Sequence, residues 1–242
     1  MMEKVYKQDI LLSHIHTDRF GRLTPAALLY LAQEVSSEHC HLLGADGEAL
    51  GQLFWAISRT KVEVAQLPKL GQTLTLETWP MPTTRVAYPR AVVARDETGR
   101  ECFRVISLWV LMDGESRQMV LPGMSGVEVD GILRGGELNA PRAVPARLME
   151  KTALRTVGYT LLDQNGHMNN TRYMDWVADL LPSSFHKEHP FKGFTVCYMT
   201  EAREGDEISL DHDLDEAGNL TVCARRGGKN GEERIFSAQV QF

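Results

Sequence analysis

Two stretches of the chain place apolar residues at helical spacing, and each is followed by segments with the composition of strands. From Pro25 to about Val35, Leu28, Leu31, Ala32 and Val35 form one stripe, while Gln33, Glu34 and Glu38 lie off it. Thr24 can cap the first free N–H groups, and Pro25 at the first helical position sacrifices no hydrogen bond. From Asn170 to about Leu181 the stripe is Tyr173, Trp176, Val177, Leu180 and Leu181, with Asn169 or Asn170 as cap and Pro182 as terminator. After the first helix, Val, Ile, Thr and aromatic residues predict strands over Trp55–Ala65, Thr73–Trp79, Arg85–Arg95 and Glu101–Met112. After the second, they predict strands over Phe194–Thr200, Glu207–Asp213, Leu220–Arg225 and Glu233–Gln241. Asp96-Glu-Thr-Gly and Gly227-Gly-Lys-Asn-Gly read as matching hairpin turns.

The chain therefore repeats itself once. Asp18-Arg-Phe-Gly21-Arg-Leu-Thr24 opens the first helix and Asp163-Gln-Asn-Gly166-His-Met-Asn169 the second, 145 positions later. Gly71-Gln-Thr-Leu-Thr-Leu and Gly205-Asp-Glu-Ile-Ser-Leu hold corresponding places further on. Each half reads as one strand, one long helix and an antiparallel meander, an α+β unit in which a curved sheet wraps a helix. Done twice, this is a tandem, or double, hot-dog, with Tyr30 and Trp176 expected as bulky filling of its core. Residues 1–121 are expected to form the N-terminal unit and residues 147–242 the C-terminal one. Between them, residues 122–146 are rich in Gly and Pro, lack periodicity and read as a linker.

Composition narrows the class. With 242 residues, 43% hydrophobic and 24% charged, the chain can bury real cores. No run approaches the roughly twenty apolar residues of a membrane span. The polar start, Met1 to Asp9, reads as neither signal nor transit peptide, so a cytoplasmic protein is expected. Cys40, Cys102, Cys197 and Cys223 are scattered without a C-x-x-C pair, and are expected to be reduced and mostly in the core. A net charge of −6 disfavours nucleic acid as a partner. His14-Ile-His16 and His39-Cys40-His41 do not match a metal-binding pattern, and no nucleotide-binding glycine loop occurs, so no metal or cofactor is implied.

Candidate chemistry concentrates in Asp163-Gln-Asn165-Gly-His167, just before the second helix. If extended, this segment projects Asp163, Asn165 and His167 to one side. The helix N-terminus that follows would favour developing negative charge. A carboxylate, an amide and an imidazole so placed suit acyl transfer, which needs an oxyanion held and a nucleophile deprotonated. The alternative is a capped turn. The first half keeps Asp18 and Gly21 but has Phe20 for Asn165 and Arg22 for His167, so the shared residues are explained by the turn and the unshared ones are left for function. Glu201 ends an apolar strand, where partial desolvation would raise its pKa towards that of a general base; as a plain strand-end carboxylate it would do nothing.

Asp163-x-Asn165-x-His167-x-Asn169-Asn170, followed by Tyr198-x-x-Glu201 and Gly205-Asp206, resembles the acyl-acyl-carrier-protein thioesterases. These are double hot-dog enzymes of plant plastids and many bacteria that release free fatty acids. The resemblance extends over nearly the whole chain, including His16-Thr-Asp-Arg-Phe-Gly-Arg-Leu. It implies catalytic roles for Asp163, Asn165, His167 and Glu201, with Asp163 either orienting the network or attacking the carbonyl itself. It also implies acyl-carrier protein as partner and an acyl pocket in the N-terminal half, for which Leu28, Leu31, Phe54, Trp55 and Ile57 are candidates that read better as core. Arg142, Arg147, Lys151, Arg155, Arg172 and Arg203 could dock the acidic carrier. Plant members often carry a cysteine next to the glutamate; here it is Ala202, which argues against a cysteine nucleophile. Two other readings stay open: a hot-dog dehydratase or hydratase on 3-hydroxyacyl or enoyl thioesters, and a non-catalytic acyl-thioester-binding module. Monomer and homodimer are both compatible with the sequence.

Overall fold

The computed structural model describes residues 4–145, 149, 151–228 and 231–242. Among these, eleven strands form a single antiparallel sheet. The first half supplies β1 (Tyr6–Leu11), β2 (Leu53–Val64), β3 (Thr73–Pro80), β4 (Tyr88–Asp96), β5 (Glu101–Asp113) and the short β6 (Met119–Val120), with helices α1 (Pro25–Leu42) and α2 (Pro122–Ser125). The second half supplies β7 (Lys151–Thr156), β8 (Gly193–Tyr198), β9 (Glu207–Leu214), β10 (Asn219–Gly228) and β11 (Gly231–Gln241), with α3 (Arg172–Ala178) and α4 (Ser183–Glu188).

The strand order is β1-β3-β4-β5-β2-β8-β11-β10-β9-β7, with β6 added beside β5. It reads the same from either end once β7 to β11 are matched to β1 to β5, which is the duplication seen as topology. The halves join where β2 pairs antiparallel with β8, from Arg59 opposite Cys197 to Glu63 opposite Gly193. Pairing these strands internally removes two edges that would otherwise template aggregation. The expected α+β double hot-dog is the fold observed.

Helix α1 forms as its pattern requires, with the Thr24 side chain accepting from the Ala27 N–H at 3.1 Å and Pro25 at its first position. It runs on to Leu42, beyond the expected end near Val35, and buries Leu28, Leu29, Leu31, Ala32 and Val35 against Leu74, Leu76, Val92 and Phe103 of the sheet. Each leucine buried there contributes about 1.5–3 kcal/mol. Tyr30 corrects one expectation: it is 47% exposed, on the side of α1 away from the sheet, while Trp176 fills the core as expected. The second helix is also shorter than expected. It starts at Arg172, without a side-chain cap, and ends at Ala178, and Pro182 redirects the chain into α4.

Beyond α2, residues 126–145 are irregular but packed. Val127 and Val129 pack against Leu50, Tyr88 and Leu111. Ile132 then packs on Trp79, Ala91 and Val93, which β4 and β3 present on the opposite face of the sheet. Gly131 makes that crossing possible, because a Cβ there would lie 2.1 Å from the Met81 carbonyl oxygen.

Candidate active site

Asp163 and Asp18 build the same turn twice. The Asp163 Oδ1 accepts from the backbone N–H groups of Asn165 (2.8 Å) and His167 (3.2 Å). The Asp18 Oδ1 accepts from Phe20 (2.8 Å) and Arg22 (3.0 Å). In both, the aspartate N–H donates to the carbonyl four residues on, and a glycine at φ 76° (Gly166) or 70° (Gly21) closes the loop. That left-handed conformation disfavours any residue with a Cβ. The segment is therefore a tight turn and not an extended strand, so the expected projection of Asp163, Asn165 and His167 to one side gives way to a division. The Asp163 carboxylate is engaged in the turn, the Asn165 side chain stands exposed at its tip, and His167 leaves it half-buried.

Past the turn, His167 bridges to Arg203, and the Met168 N–H donates to the Ala202 carbonyl at 2.8 Å. These contacts pin the turn to the loop after β8 and bring two predicted residues together. His167 Nε2 lies 3.1 Å from Glu201 Oε2. The other carboxylate oxygen, Oε1, accepts from the Arg117 guanidinium. The Glu201 side chain is 41% exposed, not sunk at the end of an apolar strand. A cation and an imidazole hold it instead. In the first half the same places are taken by Phe20, Arg22 and Leu67; Arg22 Nη2 donates to the His186 carbonyl of α4 at 2.6 Å, and no carboxylate–imidazole pair forms.

Arg117 is the residue that reading the sequence misses. It sits in the turn between β5 and β6, 84 positions from Glu201, and only the pairing of β2 with β8 brings them together. Its guanidinium lies over the Phe54 ring, 4.9 Å from the centroid. Arg117 is also the one described non-glycine residue with positive φ, at 56°. That local strain is the signal that marks it.

Behind the pair lies a buried tyrosine layer. Tyr173 packs 4.7 Å from Phe236 and 5.8 Å from Tyr198 between ring centroids. Burial, with the Glu201 and Asp206 carboxylates nearby, pushes the Tyr173 hydroxyl up to about 12, although the Ala202 amide and Arg226 act against it. Tyr198 is raised too, chiefly by burial, and its hydroxyl donates to the Asn170 carbonyl at 3.0 Å. The expected helix N-terminus at the site is absent: α3 begins five residues after His167, and the Thr171 N–H is taken by Asn169 Oδ1 at 2.9 Å.

The four cysteines are unpaired thiols. Cys197 is buried, 3.8 Å from the Arg142 carbonyl, and Ala202 is fully buried, so no thiol stands at the Glu201–His167 pair. Of the other pocket candidates, Leu28 and Leu31 are core, and Ile57 is buried. Trp55 lines a cavity of about 540 Å³ between the C-terminal half of α1 and the sheet, together with Ser36, Cys40, Tyr88, Arg90 and Trp109. Of the basic candidates, Arg142, Lys151, Arg172 and Arg203 are exposed and Arg155 is half-buried, while Arg147 lies outside the described residues.

Comparison with known proteins places this geometry in context. The sequence models described as acyl-ACP thioesterase N-terminal domain and acyl-ACP thioesterase C-terminal domain match residues 3–121 and 148–242. Dodecanoyl-[acyl-carrier-protein] hydrolase of Cinnamomum camphora is 26% identical over 89% of the chain, which spans 62% of that relative's length. Oleoyl-acyl carrier protein thioesterase 1 of Arabidopsis thaliana is 24% identical over 96% of the chain and 70% of its own length. The crystal structure of an acyl-ACP thioesterase from Bacteroides thetaiotaomicron superposes with a TM-score of 0.89 at 24% identity, covering 99% of this chain and 98% of that one.

Proposed function

From the premise that the chain belongs to the acyl-ACP thioesterase family, we propose that it hydrolyses fatty acyl thioesters of acyl-carrier protein, and that Glu201 and His167 are the groups that activate water. The observation that carries the reading is the 3.1 Å contact between His167 Nε2 and Glu201 Oε2, with Arg117 on the second carboxylate oxygen. A carboxylate facing Nε2 fixes the neutral imidazole with its proton there and leaves Nδ1 as the acceptor. His167 then takes a proton from water as the water attacks the thioester carbonyl. Glu201 stabilises the imidazolium that results. The proton passes to the departing thiolate, giving a free fatty acid and a thiol.

Asn165 is the proposed donor to the developing oxyanion. It is exposed on the turn that delivers His167, and its backbone N–H is already held by Asp163, so the side-chain amide is the group left to act. Asp163 is a positioning residue in this scheme, because its Oδ1 holds the turn through two backbone N–H groups. A role for the α3 N-terminus is dropped. The N-terminal half supplies the acyl pocket, the cavity lined by Trp55, and the C-terminal half supplies the chemistry. The exposed Arg142, Lys151, Arg172 and Arg203, with the half-buried Arg155 beside them in sequence, give an acidic carrier a place to dock on a protein of net charge −6. No described helix is long and apolar enough to cross a membrane. Four free thiols fit a reducing compartment such as the cytoplasm.

The test is thiol release from acyl-carrier-protein and coenzyme A thioesters by wild type, His167→Ala and Glu201→Gln. Release by wild type, reduced roughly a hundredfold or more in both variants, is expected. Undiminished release by either variant removes that residue from the mechanism. No release from any thioester by wild type removes the hydrolase.

A further inference from the structure

The inner face of the N-terminal sheet changes character along β4. Ala94 and Val92 face α1 as ordinary core. Two residues back in the same row is Arg90, and two further is Tyr88, and there the packing gives way to the cavity of about 540 Å³. Arg90 is only 8% exposed. Its Nη1 meets His39 Nδ1 at 3.0 Å and Thr78 Oγ1 at 3.3 Å. Among the described residues no carboxylate lies within ion-pair distance of it. The carboxylates around the cavity are otherwise placed: Asp130 pairs with Lys4 at 2.5 Å, Asp46 with His41 at 3.1 Å, and Glu128 is exposed. Burial pulls the Arg90 pKa down to about 10, which still leaves it charged at neutral pH. Trp109 lines the same cavity, and its buried indole N–H has no acceptor among the described residues.

A cavity meant for a plain hydrocarbon gains from an apolar wall. A buried guanidinium makes the opposite demand, because a saturated chain would displace water from the charge and return nothing to it. Resting on the acyl-thioester reading above, we propose that this cavity takes an acyl chain carrying an oxygen, as a hydroxyl or keto group along the chain, and that Arg90 selects it. A site built to hydrogen-bond a substrate oxygen rejects the analogue that lacks it, since its own buried donors are then left unpaired. The hydrogen bond from a charged donor corresponds to a preference of roughly ten- to a hundredfold in kcat/KM over the saturated chain of equal length.

The experiment compares thiol release from saturated acyl thioesters and their counterparts of equal length bearing a hydroxyl or keto group at the 3-position, mid-chain or terminus. Wild type and Arg90→Met are assayed side by side. The expected result is that wild type prefers one oxygenated position and that Arg90→Met reverses the preference towards the saturated chain. Wild-type preference for the saturated chain against every oxygenated position overturns the proposal, whether or not the variant folds. Retention of an oxygen preference by a folded Arg90→Met removes Arg90 as its source. If wild type cleaves no thioester, the hydrolase reading fails separately, and quenching of Trp55 and Trp109 fluorescence by free fatty acids decides the cavity. Tighter binding of a hydroxylated acid than of its saturated parent supports the proposal, and equal or weaker binding overturns it.

Discussion

Arg117 holds a left-handed backbone conformation that costs a residue with a Cβ roughly 1–2 kcal/mol, and it does so where its guanidinium meets Glu201. Both partners are about two-fifths exposed, so the pair itself adds less than about 1 kcal/mol to stability. Its value is orientation. Arg117→Gly separates the two effects: the protein is expected to unfold at the same or a higher temperature, while kcat/KM for thiol release falls roughly tenfold or more. Unchanged kcat/KM would leave the strain without a purpose. Tyr173 gives a pH prediction. Its folded pKa of about 12 lies above the ordinary value of 10.0, so its contribution is fully present below pH 10 and is lost as pH rises from 10 to about 12. The loss amounts to roughly 2–3 kcal/mol. Arg90 works in the opposite direction over the same range, because its depressed pKa relieves a burial cost as it deprotonates. The comparison is therefore between wild type and Tyr173→Phe by urea unfolding from pH 9 to 12. The stability difference between them should shrink across that window, and a constant difference would contradict the assignment.

At the scale of the element, the duplicated turn supplies its own control. Asp163→Ala and Asp18→Ala each remove an acceptor for two backbone N–H groups, and each is expected to cost about 1–2 kcal/mol in denaturant unfolding. Only Asp163→Ala should also lower thiol release. Asp163→Asn decides how, because the amide oxygen can still accept from Asn165 and His167. Near-normal turnover fits a positioning carboxylate, and complete loss with normal stability fits a nucleophile. This turn also marks how far the sequence reaches. Helix α1 and the strands are legible because period and capping are local properties; Asp163, Asn165, Gly166 and His167 stand out because the first half of the chain shows which of their places a turn requires, and Glu201 stands out only through the family resemblance. The exposure of Tyr30 was not legible, since which flank of α1 meets the sheet depends on how the two pack. Arg117 could not be found either, because its meeting with Glu201 depends on strand pairing between the halves.

That pairing is the property of the whole molecule on which the site depends. Glu201 and His167 belong to one half and Arg117 to the other, and the cavity offered for the acyl chain lies in the half that lacks the imidazole. One core cluster contains side chains of both, from Leu28 and Phe103 to Tyr173 and Phe236, so the halves should unfold together. The seam between β2 and β8 has a weak point for substitution at a glycine. Gly193 stands opposite Glu63, and a Cβ on it would lie 2.6 Å from the Val62 carbonyl oxygen, against backbone that cannot swing aside. Gly193→Val must therefore shift one strand against the other. The expected outcome is a loss of roughly 1–3 kcal/mol in stability, still as one transition in calorimetry, with thiol release reduced more than the lost stability explains. Gly158→Ala serves as the comparison, since nothing lies within 4 Å of its added Cβ and its backbone at φ −101° suits any residue. Two separate transitions for Gly193→Val, or full activity in a destabilised protein, would mean that the halves work independently and that the seam does not set the distance from Arg117 to Glu201.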